Sequence, residues 1–261
     1  MTTTKSLITG ASTGIGSVYA ERLASKGHDL ILVARSENKL NEVASLILQR
    51  HKVKIEILVA DLTQKSDVER LAERLSTDKT IDMLVNNAGV AATSPFNDSN
   101  LDAMLNMIEL NVTALTHLSM AAAKAFAARH NGTIINIASI VALNPDILNP
   151  VYVASKSYVL SLTQALHNEL KEQGVRLQAV LPGATATPLW EKAGMPVDNF
   201  PAEWVMQPED MVDAALKGLE LGELVTIPSL PEYTDWQALE NARINLLPNL
   251  SRQQPATRYV A

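Results

Sequence analysis

The chain of 261 residues contains no cysteine, few aromatic residues and no long run of basic residues. Without cysteine it forms neither disulfides nor thiolate metal sites. A formal net charge of −6 without a Lys/Arg cluster offers no surface for a nucleic-acid backbone or an anionic membrane. The apolar stretches are much shorter than the roughly 20 residues that span a bilayer, and no apolar signal region precedes the first predicted strand. The composition therefore predicts a soluble cytoplasmic protein that binds neither nucleic acid nor membrane.

The histidines do not form a metal-binding pattern. Their spacing to one another and to acidic residues does not match that of metal ligands, and positions on helix surfaces or in the core explain them. No metal site is predicted. The histidines are His28, His51, His117, His130 and His167.

Apolar runs alternate with helix-period segments along the chain, as in β-α-β units. The Ile, Leu and Val runs are continuous, which is typical of parallel strands covered on both faces. The sequence therefore predicts an α/β fold with a doubly wound, mostly parallel Rossmann-type sheet and helices on both faces. The predicted strands are 6–9, 29–34, 54–59, 83–86, 133–138, 175–181 and 224–227. The predicted helices are 14–26, 37–50, one after 66, 101–129, 152–173, 208–221 and 231–247, followed by an extended tail.

No linker or repeat divides the chain, so a single domain is predicted over 1–261. Within it, 1–183 would form a dinucleotide-binding core with the catalytic residues, 184–210 a substrate lid, and 211–261 the C-terminal helices, strand and tail. Gly174 is predicted to close the preceding helix as a left-handed cap. The stretch from 184 to 207 is irregular and carries bulky apolar residues, which is typical of a mobile lid.

A glycine-rich turn follows the first strand and opens the first helix, with the pattern Gly10-x-x-x-Gly14-x-Gly16. In this context backbone N–H groups and a helix N-terminus can bind a pyrophosphate, and a Cβ would block the ligand. The spacing differs from the Gly-x-Gly-x-x-Gly pattern of commoner dinucleotide folds. A tight structural turn is the alternative interpretation.

Tyr152 and Lys156 lie four residues apart, so a helix places the phenol and the ammonium on one face. A phenol titrates at about 10, and a nearby positive charge lowers that pKa toward neutral. Asn111 and Ser139 precede this pair. Each of the four alone has an ordinary explanation as a turn, helix-start or surface residue. Their joint occurrence, in order with a phosphate-binding turn, favours a hydride-transfer active site.

With Asn86-Asn87-Ala88-Gly89 after a predicted strand, the chain resembles the classical short-chain dehydrogenase/reductase family over about residues 5–190. The resemblance implies that Tyr152 protonates the substrate oxygen and that Ser139 hydrogen-bonds the same oxygen. It further implies that Asn111 holds a water in the proton path, and that Lys156 binds the ribose and lowers the tyrosine pKa.

The resemblance also implies a cofactor site. In the family, the glycine turn holds the pyrophosphate, and Asn86 to Gly89 would line the adenosine side and steady the central strand. Pro182-Gly183 and the stretch from Thr185 to Thr187 would flank the nicotinamide. Asp61 and Leu62 would touch the adenine. The implied cofactor-binding residues are Gly10, Ser12, Thr13, Gly14, Ile15, Gly16, Arg35, Asp61, Leu62, Asn87, Ala88, Gly89, Tyr152, Lys156, Pro182, Gly183, Thr185 and Thr187.

The end of the second strand bears on the choice of cofactor. An acidic residue there binds both ribose hydroxyls of NAD, whereas an arginine accommodates the 2′-phosphate of NADP. The chain has uncharged Ala34 followed by Arg35, and a guanidinium pairs well with phosphate. Thr13 stands where many NADP-using relatives carry a second basic residue, and a solvated Arg35 is the alternative. NADP(H) is predicted in preference to NAD(H).

Hydride that arrives at a carbonyl carbon leaves negative charge on the oxygen, so donors placed there stabilise the transition state. Ser139 and Tyr152 would supply them, which predicts an NADPH-dependent oxidoreductase acting on a ketone or aldehyde, or on the corresponding alcohol. A non-catalytic NADP-binding sensor or scaffold is the alternative, although it would not need all four side chains. Dehydration or isomerisation would need a further acid or base in the lid, and the sequence identifies none there for that function. The residues expected either to line an apolar substrate pocket or to belong to the core are Leu143, Leu148, Leu189, Trp190, Met195 and Trp204.

The resemblance bears on assembly as well. The long helices beginning near Leu101 and Tyr152 resemble those that pair between subunits in the family, so a homo-oligomer is expected. Many relatives end in a glycine-rich strand that packs across a tetramer, but this chain has Leu-Val-Thr-Ile-Pro at 224–228. Dimer and tetramer therefore both stay open.

Overall fold

The computed structural model describes residues 4–260. Within that range seven strands form one sheet in the order β3-β2-β1-β4-β5-β6-β7, and every neighbouring pair runs parallel. The strand order reverses between β1 and β4, so their carboxyl ends form the switch point at which doubly wound sheets bind ligands. The predicted Rossmann-type parallel sheet is confirmed. The strands are β1 (Lys5–Thr9), β2 (Asp29–Ala34), β3 (Ile55–Val59), β4 (Ile81–Asn86), β5 (Gly132–Ile137), β6 (Val175–Val180) and β7 (Val225–Thr226).

Helices connect the strands, and some of them begin or end at recognisable capping residues. The Ser36 side chain caps α2 by accepting from the backbone N–H of Lys39, and Gly174 has a φ of 73°, the predicted left-handed cap. Helix α6 begins at Pro150, two residues before the predicted start, because proline suits the first helical turn. The helices are α1 (Gly14–Ser25), α2 (Glu37–Arg50), α3 (Lys65–Thr77), α4 (Leu101–Ile108), α5 (Leu115–Ala127), α6 (Pro150–Leu170), α7 (Pro188–Lys192), α8 (Pro208–Leu221) and α9 (Tyr233–Ile244).

A π-helical turn, Glu109–Ala114, divides the helix predicted over 101–129 into α4 and α5. The backbone stays right-handed on both sides of it, so the hydrophobic pattern in the sequence continues without a break. Asn111 lies in this turn and is buried. Such turns occur often at functional sites.

Adjacent strand residues face opposite sides of the sheet and enter different cores. Ile8 packs with α1, α2 and α8 on one face, whereas Leu7 packs with α3 and α5 on the other. Both side chains are fully buried. Because the strands are held on two faces, their carboxyl ends are fixed points on which a site can be built.

The segment 184–210, predicted as a substrate lid and called the lid for that reason, is more ordered than its sequence pattern predicts. It contains α7 and two short 3-10 turns, Val197–Asn199 and Ala202–Trp204. Its ends are joined because the Met206 N–H donates to the Ala184 carbonyl at 2.9 Å, and the Ala186 N–H donates to the Met206 carbonyl at 3.0 Å. The segment is therefore a loop closed at its base.

Contacts divide the chain after Pro228 into two compact units, and the second begins at Ser229. The second unit contains α9 and the 3-10 turns Leu247–Asn249 and Thr257–Tyr259. Helix α9 is shorter at both ends than the predicted 231–247. The described residues include no helix with the length and hydropathy of a membrane span, and no group of three or more His, Cys, Asp or Glu side chains placed to hold a metal ion.

Candidate active site

A cavity of about 510 Å³ lies over the carboxyl ends of the central strands. It collects nearly all of the predicted site residues from seven separate parts of the chain. Two predicted residues, Gly16 and Asn111, do not line it. The predicted residues that do are Gly10, Ser12, Thr13, Gly14, Ile15, Arg35, Asp61, Leu62, Asn87, Ala88, Gly89, Ser139, Tyr152, Lys156, Pro182, Gly183, Thr185 and Thr187.

The glycines of the first turn have two different functions. Gly10 and Gly14 have φ values of 66° and 57°, a left-handed conformation that other residues rarely adopt. A Cβ on Gly16 would lie 2.3 Å from the Gly10 carbonyl oxygen and 2.5 Å from the Asn87 amide nitrogen. Gly16 therefore lets α1 pack against the turn, and its contact with a cofactor stays a prediction.

The N-terminus of α1 is open to an anion. Its cap residue, Thr13, makes no side-chain hydrogen bond to the helix, and the first turn carries no acidic residue. Gly14 and Ile15 of that first turn line the cavity. The unpaired N–H groups of the turn can therefore receive phosphate oxygens, so the residues present fit a dinucleotide.

Asn87 fixes the switch point by bonding across it. Its side-chain amide donates to the carbonyls of Thr9 at 3.0 Å and Gly10 at 3.2 Å, while the Thr9 hydroxyl accepts from the N–H groups of Asn87 and Ala88. These bonds join the ends of β1 and β4 beneath the glycine turn.

Tyr152 and Ser139 lie together at the inner end of the cavity. Tyr152 is 4% exposed, and burial raises its pKa to about 12 while the Ser139 side chain acts to lower that pKa. The Ser139 hydroxyl also lies 3.3 Å from the Pro182 carbonyl. At neutral pH the phenol is therefore protonated and able to donate to an oxygen placed beside it.

Lys156 is buried one helical turn beyond Tyr152. Its ammonium donates to the Ile137 carbonyl at 2.9 Å and lies 5.9 Å from the centre of the Tyr152 ring. Burial lowers the pKa of Lys156 to about 8. The lower tyrosine pKa that the resemblance implies is not seen in the protein alone, because burial outweighs the other influences on the phenol. It stays a prediction for the complex with cofactor.

Asn111 does not line the cavity but is hydrogen-bonded to residues next to it. Its amide donates to the Val90 carbonyl at 2.9 Å and to the Ser155 hydroxyl at 3.1 Å, and its oxygen accepts from the Val90 N–H at 3.0 Å. Ser155 in turn donates to the Tyr152 carbonyl at 2.7 Å. The side chain thus ties the loop after β4 to α6, and its water-holding function stays a prediction.

The outer end of the cavity is cationic. Arg35 and Lys39 line it, and neither side chain has a hydrogen-bond or ion-pair partner within residues 4–260. Lys39 was not predicted from the sequence. The sequence does carry a signal for Lys39. Ser36 is the cap of α2, and the third residue after a cap lies in the first turn of the helix.

The residues expected either to line the pocket or to belong to the core have different outcomes, and Leu148 packs against the core cluster that contains Tyr152 and Val153. Leu189 and Trp190 line the cavity, and the other four of the set do not. Two of those four, Leu143 and Trp204, are 37% and 67% exposed. The missing apolar lining comes from the loop after β4 and from the π turn, as Val90, Ala91 and Leu110.

Comparison with known proteins places this geometry among relatives. The model of the family described as short chain dehydrogenase matches residues 5–196. An uncharacterised oxidoreductase of Staphylococcus saprophyticus is 34% identical over 82% of this chain and 90% of that protein.

Two solved structures are similar over almost their whole length. A short-chain dehydrogenase from Sphingobium yanoikuyae in complex with NADPH is 43% identical, with a TM-score of 0.95 over 98% of this chain and 99% of that chain. A bulky-bulky ketone specific alcohol dehydrogenase from Comamonas testosteroni is 39% identical, with a TM-score of 0.92 over 100% of both chains.

Proposed function

We propose that this chain, which belongs to the short-chain dehydrogenase family and is an oxidoreductase, reduces ketones or aldehydes with large apolar substituents using NADPH, or oxidises the corresponding alcohols. The observation that carries the proposal is the buried, protonated phenol of Tyr152 beside Ser139 in a cavity whose glycine turn fits a dinucleotide. The bound nicotinamide would supply the hydride.

The residues of the chain would then supply the proton and stabilise the negative charge on the substrate oxygen. Tyr152 donates its proton to the substrate oxygen as negative charge develops there, and the Ser139 hydroxyl donates a second hydrogen bond to the same atom. The Lys156 ammonium, with a pKa of about 8, is mainly charged at pH 7 and favours the phenolate that remains. Ser139, Tyr152 and Lys156 are buried, which keeps water from competing for hydrogen bonds to the substrate oxygen.

NADPH is favoured over NADH by the cationic end of the cavity. Arg35 and Lys39 both have free charges there, and Ala34 puts no carboxylate where the 2′-hydroxyl of NADH would need one. The Sphingobium yanoikuyae relative holds NADPH, which supports the same choice.

The substrate class follows from the apolar lining and from a relative. Val90, Ala91, Leu110, Leu189 and Trp190 contribute no charge to their part of the cavity. The Comamonas testosteroni relative is specific for bulky-bulky ketones, and we extend that class to this chain.

The test is the loss of 340 nm absorbance with NADPH over a panel of ketones that carry two large apolar groups. Tyr152→Phe should lower kcat by roughly 100-fold or more, because general acid catalysis contributes about that much. Tyr158→Phe, on the exposed side of the same helix, is the matched control and should keep its activity. Undiminished turnover by Tyr152→Phe would refute the proposal, and measurable NADPH binding without any turnover would favour the sensor or scaffold.

A homodimer is the assembly we propose. The α4–α5 segment exposes a row of large apolar side chains that a second copy of the chain would cover. Light scattering after gel filtration should give twice the monomer mass of 28.3 kDa, or four times that mass if dimers pair further. The row consists of Leu101, Leu105, Ile108 and Met120. The cytoplasmic location stays a prediction from composition.

A further inference from the structure

Asn149 is a fully buried amide directly before the helix that carries Tyr152. Its oxygen accepts from the Val151 N–H at 2.9 Å and so caps α6. Its amide nitrogen donates to the Ser94 carbonyl and to the Ser99 hydroxyl, both at 2.9 Å. The side chain does not line the cavity. The two hydrogen bonds of its amide nitrogen join the start of α6 to the loop 92–99.

The backbone around Asn149 is constrained as well. Leu148 has a φ of 64°, a left-handed conformation that is unfavourable for a residue with a Cβ. Such a conformation persists only where its surroundings enforce it. The Asn149 N–H donates to the Ala92 carbonyl at 3.3 Å, and the Asn149 carbonyl accepts from the Val153 N–H at 3.0 Å. The bonds of one residue therefore hold a strained turn in front of Tyr152.

The same loop also holds the lid. The Thr93 hydroxyl donates to the Ala193 carbonyl at 2.7 Å, just beyond α7, which carries the cavity residues Leu189 and Trp190. Thr93 and Ser94 are neighbours in the chain. Thr93 therefore contacts the lid, and Ser94 contacts Asn149 at the start of α6.

We propose that Asn149 is a positioning residue, which sets Tyr152 against Ser139 and, through Thr93 and Ser94, links that position to the lid. The inference rests on the proposed function, since it takes Tyr152 as the proton donor. Without the two amide bonds the first turn of α6 can shift, and the phenol then loses the interaction with Ser139 that lowers its pKa. The cofactor end of the cavity, built on β1, β2 and β4, stays in place.

The experiment compares Asn149→Ser with Asn100→Ser. Serine keeps the cap function in both variants. At position 149 the shorter serine side chain cannot reach Ser94 and Ser99. Asn100 is an exposed cap of α4 that accepts from the Ala103 N–H at 3.0 Å and has no bond to α6. It therefore controls for the loss of an asparagine cap.

Asn149→Ser should lower kcat by roughly 10- to 100-fold, the effect of a misplaced catalytic group, while the KM for NADPH stays within about twofold. The apparent pKa of alcohol oxidation, which needs the deprotonated phenol, should rise. Asn100→Ser should change neither quantity. A purely structural function would lower the melting temperature and the active fraction without moving the apparent pKa, and that result would overturn the inference.

Thr93→Val tests the link to the lid. It should raise the KM for the ketone several-fold, and its effect on kcat/KM should not add to that of Asn149→Ser in the double variant, because both act through one loop. Additive effects would overturn the link. If Asn149→Ser does not fold, Ser99→Ala removes one of the two acceptors, and an unmoved apparent pKa in that variant would contradict the inference.

The two failures are distinguishable. Wild-type protein without turnover, or an active Tyr152→Phe variant, would refute the proposed function. An active wild type and an inactive Tyr152→Phe variant, together with an Asn149→Ser variant that has wild-type kcat and apparent pKa, would refute only the positioning function.

Discussion

The cavity has two walls that are held in different ways. The strand-end wall, residues 9–16 and 86–89, consists of backbone fixed by the parallel sheet and by the bonds of Asn87. The lid wall is held by few contacts, among them the bond from the Trp190 indole to the Thr185 carbonyl at 3.1 Å and the edge-on contact of Trp190 with Phe200 at 4.8 Å.

The difference explains which part of the ligand each wall can recognise. A backbone wall presents the same N–H groups whatever the neighbouring side chains, so it suits the pyrophosphate that all nicotinamide cofactors share. A side-chain wall changes shape with each substitution, so it suits the part of the ligand that differs between relatives. The four predictions that follow test this division.

The largest effect is expected from Gly16→Ala in the strand-end wall. A Cβ there would lie 2.3 Å from the Gly10 carbonyl oxygen, and neither backbone segment can move freely. We expect a loss of about 3 kcal/mol in the free energy of unfolding, measured by urea denaturation. Gly183→Ala is the matched control, because its Cβ would meet only Ile140 at 3.8 Å. Equal stability of the two variants would show that this wall tolerates change as the lid does.

The next largest effect concerns the cationic end of the cavity. Arg35→Gln should weaken NADPH binding by about 1 to 3 kcal/mol, or roughly 5- to 150-fold, because a charge-assisted bond to the 2′-phosphate is lost. NADH binding should stay unchanged, and calorimetric titration measures both. Arg50→Gln at the far end of α2 is the control. The same loss for both cofactors would contradict a contact with the 2′-phosphate.

A smaller effect is expected in the lid wall. Trp190→Phe removes the hydrogen bond to the Thr185 carbonyl and keeps an aromatic ring in the core of the lid. The loss of about 1 kcal/mol should raise the KM for a bulky ketone roughly fivefold. The Kd for NADPH should stay the same. A change in Kd as large as the change in KM would show that the two walls are not independent.

The smallest effect tests whether the far end of β4 is independent of both walls. Burial raises the pKa of Asp82 to about 6, and one of its carboxylate oxygens is buried without a partner in residues 4–260. The carboxyl of Asp82 therefore binds its proton more tightly in the native state than in the unfolded chain. As the pH rises from about 4 to about 6, the free energy of unfolding falls, and the loss is complete above that range.

Asp82→Asn should thus raise the free energy of unfolding by about 1 kcal/mol at pH 8, with allowance for its partial exposure, and should not raise it at pH 4. Urea denaturation at the two pH values measures the difference. Asp146→Asn, at an exposed position, is the control for the loss of an aspartate charge. Catalysis at pH 8 should be unchanged by either variant, and a gain for Asp82→Asn at both pH values would remove titration as the cause.

The sequence was informative wherever a short pattern governs structure. The observed bounds of β2, α2 and α8 equal the predicted ones, and for the helices the signals are visible: Ser36 caps α2, while α8 begins at Pro208 and is followed by the left-handed Gly222. The π turn before α5 was missed, since the turn keeps the hydrophobic period of a continuous helix. Trp204 was misplaced for the opposite reason, since the lid has no period from which to decide the direction of a side chain.

The sequence by itself determined the strands and helices of the β-α-β units, the glycine turn and the pairing of Tyr152 with Lys156, because each depends on residues close together in the chain. Only the tertiary structure decided the protonation of that phenol and the apolar lining of the cavity. Burial raises the pKa of Tyr152 among neighbours from distant parts of the chain, such as Met107 and Val141, and Asn149 is joined to Ser94 across 55 positions of sequence. Such contacts leave no local pattern, because the fold and not the chain makes these residues neighbours.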